Sequence, residues 1–289
     1  MQEHSGENVF EIISNHYYEL TTADRRIADF ITANPEVAQQ AGISELAEAC
    51  GAATATISRF SRKLGYDGFN EMRIAIARAV ISQTGSADML SGKIQMDDSF
   101  EDVCKKLHAA DKSVITQTLE LVEPADYLAA VDLMHRAGKV VCMGQGGSSI
   151  MSMEAAHLFS TVSGKFFSVQ DDHLQAICVS NLQTDDVILY FSYSGSVRDM
   201  METLPIARKR GVKVILITRY PKSPGAEYAD VILRCGSSEG PLQLGSVSAR
   251  ISQLFMLDVL FSEFCCRDYE KCLNSRERIA SALAEKHVE

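Results

Sequence analysis

The chain has 289 residues, 46% of them apolar and 23% charged, with a formal net charge of −10. That length exceeds the roughly 100–200 residues of one ordinary domain, so two domains are expected, and the composition excludes a disordered or low-complexity chain. An acidic balance of this size disfavours nucleic acid as a partner only if the charge is evenly spread. It is not. Residues 1–52 set Arg25 and Arg26 against nine carboxylates, whereas from Ala53 to Val80 Arg59, Arg62, Lys63, Arg73 and Arg78 face only Asp67 and Glu71. The eight cysteines show no C-x-x-C pair and no histidine at finger spacing, so no metal site is expected. Free thiols in apolar runs suit a reducing compartment. With no apolar run of membrane-spanning length and no signal-peptide pattern, a soluble cytoplasmic protein with no membrane partner is expected.

Taken in chain order, residues Val9 to Leu20 read as a helix. Thr21 then offers a hydroxyl cap with the Asp24 carboxylate three positions on, starting a second helix that Asn34-Pro35 stops. Glu36 to Gln40 is a short further turn. Ser44 is expected to cap a short helix through Cys50, with Gly51 supplying the positive φ of a tight turn. The next helix begins near Thr54, with Ile57, Phe60 and Leu64 on one stripe. Thr56, Arg59 and Lys63 lie on the neighbouring stripe, with Arg62 beside them, so one face packs and the other is free to bind. A small Ala47 four residues before the turn glycine and Ile57 six residues after it give the spacing of a helix-turn-helix. Tyr66 and Phe69 are expected to pack beneath this helix, ahead of another over Asn70 to Val80.

Residues 81–99 lack an apolar period: Gln83-Thr84-Gly85-Ser86 and Asp97-Asp98-Ser99 read as loop, within a linker placed at residues 81–109. From Phe100 to Val122 apolar residues return at helical spacing, in a helix that either joins the domains or begins the second. Beyond Pro124 helix and strand alternate. Helices over Ala125 to Ala137 and Ile150 to Val162 flank a strand at Lys139 to Met143. Further strands follow at Phe166 to Val169, Val187 to Phe191, Val212 to Thr218 and Val231 to Arg234, separated by helices. Apolar strands in this alternation mean a parallel sheet covered on both faces, doubly wound by right-handed crossovers.

Ligands of such sheets bind beyond the carboxyl ends of the strands. There the chain is small and polar: Gly144-Gln145-Gly146-Gly147-Ser148-Ser149 after the first strand and Ser192-Tyr193-Ser194-Gly195-Ser196 after the third. Each runs into a helix, and a strand-to-helix junction rich in amides and hydroxyls suits a phosphate. Neither a dinucleotide fingerprint nor a P-loop fits: position 149 is Ser, and no Gly-Lys-Ser/Thr ending is present. No cofactor is expected.

The run ISELAEACGAATATISRFSRKLGYDGF, with LTTADRRIADFITANP before it, resembles the DNA-binding domain of the RpiR family of regulators over residues 8 to 80. The two serine junctions are similar to those of the SIS (sugar isomerase) domain, as are Thr218, Ser223-Pro224 and Ala229-Asp230, and the Gly245-to-Arg250 lead into a helix at Ile251 to Phe264. The resemblance implies an all-α helix-turn-helix domain over residues 1–80 that binds a double-stranded operator. It further implies a flavodoxin-like α/β SIS domain over residues 110–289 that binds a phosphorylated sugar. The DNA-reading residues are expected to be Thr54, Thr56, Arg59, Arg62 and Lys63. The effector residues are expected to be Gly146, Ser148, Ser149, Ser192, Ser194, Gly195 and Ser196, together with Glu239, which stands where the family carries an acidic residue. The chain departs from the family's Ser-x-Ser-Gly-x-Thr at Val197, which has no hydroxyl.

The resemblance implies a regulator of carbohydrate-metabolism genes, with no catalysis. The rival is a sugar-phosphate isomerase carrying a DNA-binding head, for which Glu239 is the one carboxylate aligned near the sugar and His157 and His173 the candidate helpers. A sensor of a non-sugar phosphorylated metabolite is a third reading. Since one recognition helix spans few base pairs, a homodimer or homotetramer is expected, associating through the second domain and its apolar residues Leu254, Phe255, Phe261 and Phe264.

Overall fold

The computed structural model describes residues 8–84, 94–236 and 247–284. The chain forms two compact units, and the division falls at Asp111.

The first unit is helical. Helix α1 (Val9–His16) passes through a 3-10 turn at Tyr17–Glu19, so the expected first helix tightens over its last residues. Helix α2 (Thr22–Ala33) starts on a reciprocal cap: the Asp24 amide donates to Thr21 Oγ1 and the Thr21 amide to Asp24 Oδ2, both at 3.3 Å. Pro35 ends it and opens α3 (Pro35–Gln40). Helix α4 (Ile43–Ala49) begins two residues earlier than a cap at Ser44 would place it. Gly42 is its cap residue and donates its amide to Glu45 Oε2 at 3.1 Å, so Ser44 lies inside the first turn and does not cap it. Gly51 has φ +59°, as the turn demanded, and the Ala52 amide closes onto the Ala47 carbonyl at 2.8 Å.

Helix α5 (Thr54–Lys63) turns Ile57 and Phe60 into the core, and Leu64, its C-cap, follows them. They meet Ile12 of α1, Ile27 and Ile31 of α2, Leu46 of α4, and Met72 and Ile76 of α6 (Phe69–Thr84). Tyr66 and Phe69 join the same core, as expected. Helix α6 runs four residues beyond the expected Val80, so Gln83 and Thr84 are helical and not loop. One polar tie crosses this core's edge: Lys63 Nζ donates to the Glu19 carbonyl at 2.8 Å and lies 3.4 Å from Asp24 Oδ2, the oxygen that also accepts the Thr21 amide.

The division between the units falls inside α7 (Phe100–Glu120), whose first turn is held by Ser99 accepting the Asp102 amide at 3.2 Å. The second unit continues with α8 (Pro124–Arg136), β1 (Val140–Gly144), α9 (Gly147–Ser160), β2 (Phe166–Ser168), α10 (Asp172–Asn181), β3 (Val187–Phe191), α11 (Arg198–Arg210), β4 (Lys213–Thr218) and β5 (Val231–Arg234). It ends with α12 (Val247–Arg267) and α13 (Tyr269–Ala284). The five strands form one parallel sheet in the order β2-β1-β3-β4-β5. Alternation along each strand sends Val140, Cys142, Leu189 and Ile215 to a core shared with α8, α9 and α12. Val141, Ile188, Tyr190 and Leu216 go to the other face, under α10 and α11. The sheet is doubly wound, as the alternation of elements implied.

Three expectations are corrected. The link from β4 to β5 is a 3-10 turn at Pro224–Tyr228, too short for a covering helix. Helix α9 begins at Gly147, three residues before the expected start, which moves Ser148 and Ser149 from loop into its first turn. Of the apolar C-terminal residues expected on an association surface, Phe264 is buried in its own chain and stacks on His135, while Phe261 packs against the same core. No described helix is long and apolar enough to cross a membrane.

The Asp24 carboxylate serves both α2 and Lys63, whereas Arg59 bonds to Thr56 of its own helix. Asp24→Ala is expected to lower the stability of the helical unit by about 1–2 kcal/mol. Arg59→Ala should change it by less than about 0.5 kcal/mol. Urea titration followed by circular dichroism compares the two; equal losses would dismiss the tie as a stabilising element.

Candidate functional site

The outward face of α5 is the first candidate. Thr54, Arg59, Arg62 and Lys63 are exposed and Thr56 is half-buried, opposite the buried stripe of Ile57, Phe60 and Leu64. Arg59 Nη2 donates to Thr56 Oγ1 at 3.3 Å, which draws the guanidinium back along the helix. Arg62 Nε donates to the Asp67 carbonyl at 3.3 Å, leaving its terminal nitrogens outward. Lys63 differs from the others: its ammonium is committed to Glu19 and Asp24 and contributes to packing as well as to surface charge. The helix therefore presents two arginines on a polar, hydroxyl-lined face.

The second candidate lies at the carboxyl ends of β1 and β3. These strands are neighbours, in register so that Gly144 pairs with Phe191, and both serine junctions therefore start from the same level of the sheet. Helix α9 leaves β1 toward one face and α11 leaves β3 toward the other, so a crevice opens between the two connections.

Gly144 is required there. A Cβ at this position would lie 2.6 Å from the Ser148 carbonyl oxygen, closer than any side chain allows. Gly146 turns the chain with φ +54°. The Ser148 and Ser149 amides close back onto Gln145 and Gly146 at 3.0 and 3.1 Å, and Ser149 Oγ donates to the Gly146 carbonyl at 2.7 Å. Among the described residues the Ser148 hydroxyl has no hydrogen-bond partner.

In the other junction Ser192 is buried and accepts the Gly195 amide at 3.2 Å, and Ser194 accepts the Ser196 amide at 3.3 Å. Among the described residues neither hydroxyl donates a hydrogen bond. Gly195, at φ +60°, sits against the Ser223 side chain, where any Cβ would collide. The Ser223 hydroxyl is itself buried and among the described residues has no hydrogen-bond partner. Val197 is the N-cap residue of α11 and makes no side-chain cap, so the missing hydroxyl noted in the sequence leaves that helix start without one.

A floor of amides that the sequence did not reveal supports the first junction and ties it to the end of β3. Tyr190 Oη donates to Gln145 Oε1 at 2.7 Å, and Gln145 Nε2 donates to Gln175 Oε1 at 2.9 Å. The fully buried Gln175 donates in turn to the Val169 carbonyl at 2.9 Å. Burial raises the Tyr190 phenol well above its ordinary value, so it stays a neutral donor. Tyr190 and Gln175 looked like a strand residue and a helix residue; only the strand order brings them to Gln145.

Glu239 lies outside the described residues. His157 and His173 are both exposed. His157 stands ten residues along α9 from its start, about 15 Å at the helical rise, and so does not reach the crevice. Among the described residues no group of His, Cys, Asp and Glu side chains is disposed to hold a metal ion. Cys142, on β1, is buried and its thiol is pushed up to about 12.

Comparison with known proteins agrees with this division. Residues 7–83 match the model of the helix-turn-helix domain of the rpiR family and residues 133–263 that of the SIS domain. An HTH-type transcriptional regulator of Caldanaerobacter subterraneus subsp. tengcongensis is 30% identical over 281 residues, which are 97% of this chain and 99% of that protein. The NanR protein of Vibrio vulnificus, solved in complex with ManNAc-6P, superposes with a TM-score of 0.86 at 25% identity, covering 98% of this chain and 100% of that one. The sugar isomerase domain of an RpiR transcription factor from Sphaerobacter thermophilus shares the fold over 62% of this chain and 98% of that one, with a TM-score of 0.57 at 22% identity. From its helix-turn-helix, its parallel sheet and relatives that match it end to end, the chain belongs to the RpiR family of transcriptional regulators, with a SIS domain following the helix-turn-helix.

Proposed function

We propose that this regulator binds operator DNA through residues 1–80 and a phosphorylated sugar through residues 110–289, joined by a linker over 81–109, and that the sugar phosphate sets its affinity for the operator. The observation that carries the reading is the meeting of two hydroxyl-rich junctions at the ends of adjacent strands β1 and β3, on either side of the point where the winding of the sheet reverses. Hydroxyl protons on Ser148, Ser192, Ser194 and Ser196, with the Gly146 and Gly147 amides at the start of α9, make a donor-rich pocket for a phosphate dianion. Ser149, whose proton is engaged by Gly146, and Gly195, which places the turn against Ser223, shape the pocket. The NanR complex supports a phosphosugar as the occupant. The reading implies genes of carbohydrate metabolism as targets. It implies regulation without turnover, which the helix-turn-helix match and the regulators similar to this chain over almost its whole length support.

On DNA, α5 acts as the recognition helix in the major groove, with Thr54, Thr56, Arg59 and Arg62 toward the bases and phosphates and Lys63 at the rim. A homodimer or homotetramer then presents two such helices to half-sites about 34–36 Å apart or at multiples of that spacing. With an operator selected by the protein from random duplexes, Arg59→Ala is expected to cost about 1–3 kcal/mol of binding and to relax preference at one base pair. Unaltered affinity and preference in this variant would move the reading head off α5.

The effector reading is tested by thermal-shift titration with hexose and N-acetylhexosamine 6-phosphates, ManNAc-6P among them, followed by operator binding at saturation. Occupancy should change wild-type operator affinity by roughly 5- to 150-fold, the range of ordinary allosteric coupling. The Ser148→Ala, Ser194→Ala double variant should lose the thermal shift and the response together. A folded double variant that responds at the wild-type concentration would make these serines ordinary turn residues.

A further inference from the structure

The chain enters the second unit along α7, and in that unit only Val114 and Thr118 of this helix are buried. Thr118 is a polar residue with no exposed surface, and the same is true of Ser252 on α12. Thr118 Oγ1 lies 2.6 Å from the Val114 carbonyl and 2.8 Å from Ser252 Oγ. A carbonyl can only accept, so Thr118 donates to Val114 and receives the Ser252 proton. The Gly236 amide, two residues beyond β5, points at both hydroxyl oxygens, 3.3 Å from Thr118 and 3.1 Å from Ser252. The backbones touch here: a Cβ on Gly236 would collide with the Thr118 amide nitrogen and stand 2.7 Å from the Gln117 carbonyl carbon. Three segments, α7, α12 and the exit of β5, thus share one buried knot of hydrogen bonds.

The knot is tied to the serine junction by an unbroken series of bonds across the strand ends. The Cys235 amide donates to the Thr218 carbonyl at 3.0 Å. Thr218 Oγ1 and the Arg219 amide both donate to the carbonyl of Tyr193, within the junction after β3, at 3.1 and 3.0 Å. From Tyr193 to Thr118 every step is a described hydrogen bond or the adjacent residue.

We propose that the Thr118–Ser252–Gly236 knot is the coupling element that passes the state of the effector pocket to α7, the helix that leads back toward the DNA-binding residues. A buried polar cluster does not stretch by degrees. Withdrawing Gly236 from the two hydroxyls, or Thr118 from Ser252, leaves a donor shut away from water, so the end of β5 and the last turns of α7 move together or the cluster breaks. The inference rests on the effector reading given above, and deepens it by naming the route of regulation.

The test uses the full chain, with hydrogen-exchange mass spectrometry of the α7 peptide spanning residues 112–121 beside the thermal shift. The probes are ManNAc-6P, the other hexose and N-acetylhexosamine 6-phosphates, and inorganic phosphate. For a probe that shifts the melting temperature, wild-type α7 exchange is expected to change by about 5-fold or more, the lower end of ordinary coupling. Thr118→Val and Ser252→Ala should keep the thermal shift and lose the exchange response, while Thr118→Ser, which restores the hydroxyl, should regain it. A probe that binds wild type without altering α7 exchange overturns the coupling and leaves the effector reading intact. So do both variants responding like wild type, or a Thr118→Ser variant that behaves like Thr118→Val. Absence of any thermal shift across the probes overturns the effector reading and the coupling with it.

Discussion

The register between β1 and β3 is the constraint on which the second unit depends. Gly144 opposite Phe191 sets two strand ends side by side, and the chain leaves them toward opposite faces of the sheet. A parallel sheet wound in both directions has one such place, and the crevice there follows from topology before any side chain is chosen. The local sequence then answers to close approach: Gly144 because α9 starts against the strand end, Gly195 because the second junction lies on Ser223, and Gln175 because buried carbonyls there need a donor.

The helical unit obeys a different economy. The helix that carries the exposed arginines reaches its core through Ile57 and Phe60, with Leu64 at its end. Asp24 supplements them by binding its own helix start and Lys63 at once. A charge expected to serve the surface is thereby drawn into the structure, which leaves Arg59 and Arg62 as the cations that α5 presents outward.

Much of this was legible in the sequence. The reciprocal cap of Thr21 and Asp24, the positive φ of Gly51, the start of α5 at Thr54 and all five strands follow from local chemistry, because cap residues, glycine and apolar periodicity act over a few positions. The misreadings share a cause. Ser44 was expected to cap α4, but Gly42 with Glu45 does so two residues earlier, since either arrangement satisfies the first amides. Ser148 and Ser149 resemble loop residues, and only the approach of α9 to Gly144 shows that the helix has begun. The amide floor of Gln145, Gln175 and Tyr190 and the knot at Thr118 join residues 30 or more positions apart. No local pattern marks them, because their partners are chosen by strand order. Phe264 was misplaced for a similar reason: its apolarity was plain, but whether it faced its own core or another chain depended on how α12 lay.

The separation of faces on α5 bears on how such a protein can change over time. Thr54, Arg59 and Arg62 are exposed and outside the core, and the bonds of the two arginines run to Thr56 and Asp67, within or beside their own helix. Substitutions there alter what is read with little penalty in folding, so preference for one operator can drift into preference for another through stable intermediates. Lys63 does not share this freedom, because its ammonium is also the partner of Asp24. Across descendants of such a chain the first three positions are open to divergence under selection for new target sequences, whereas the fourth is restrained by the scaffold that carries it.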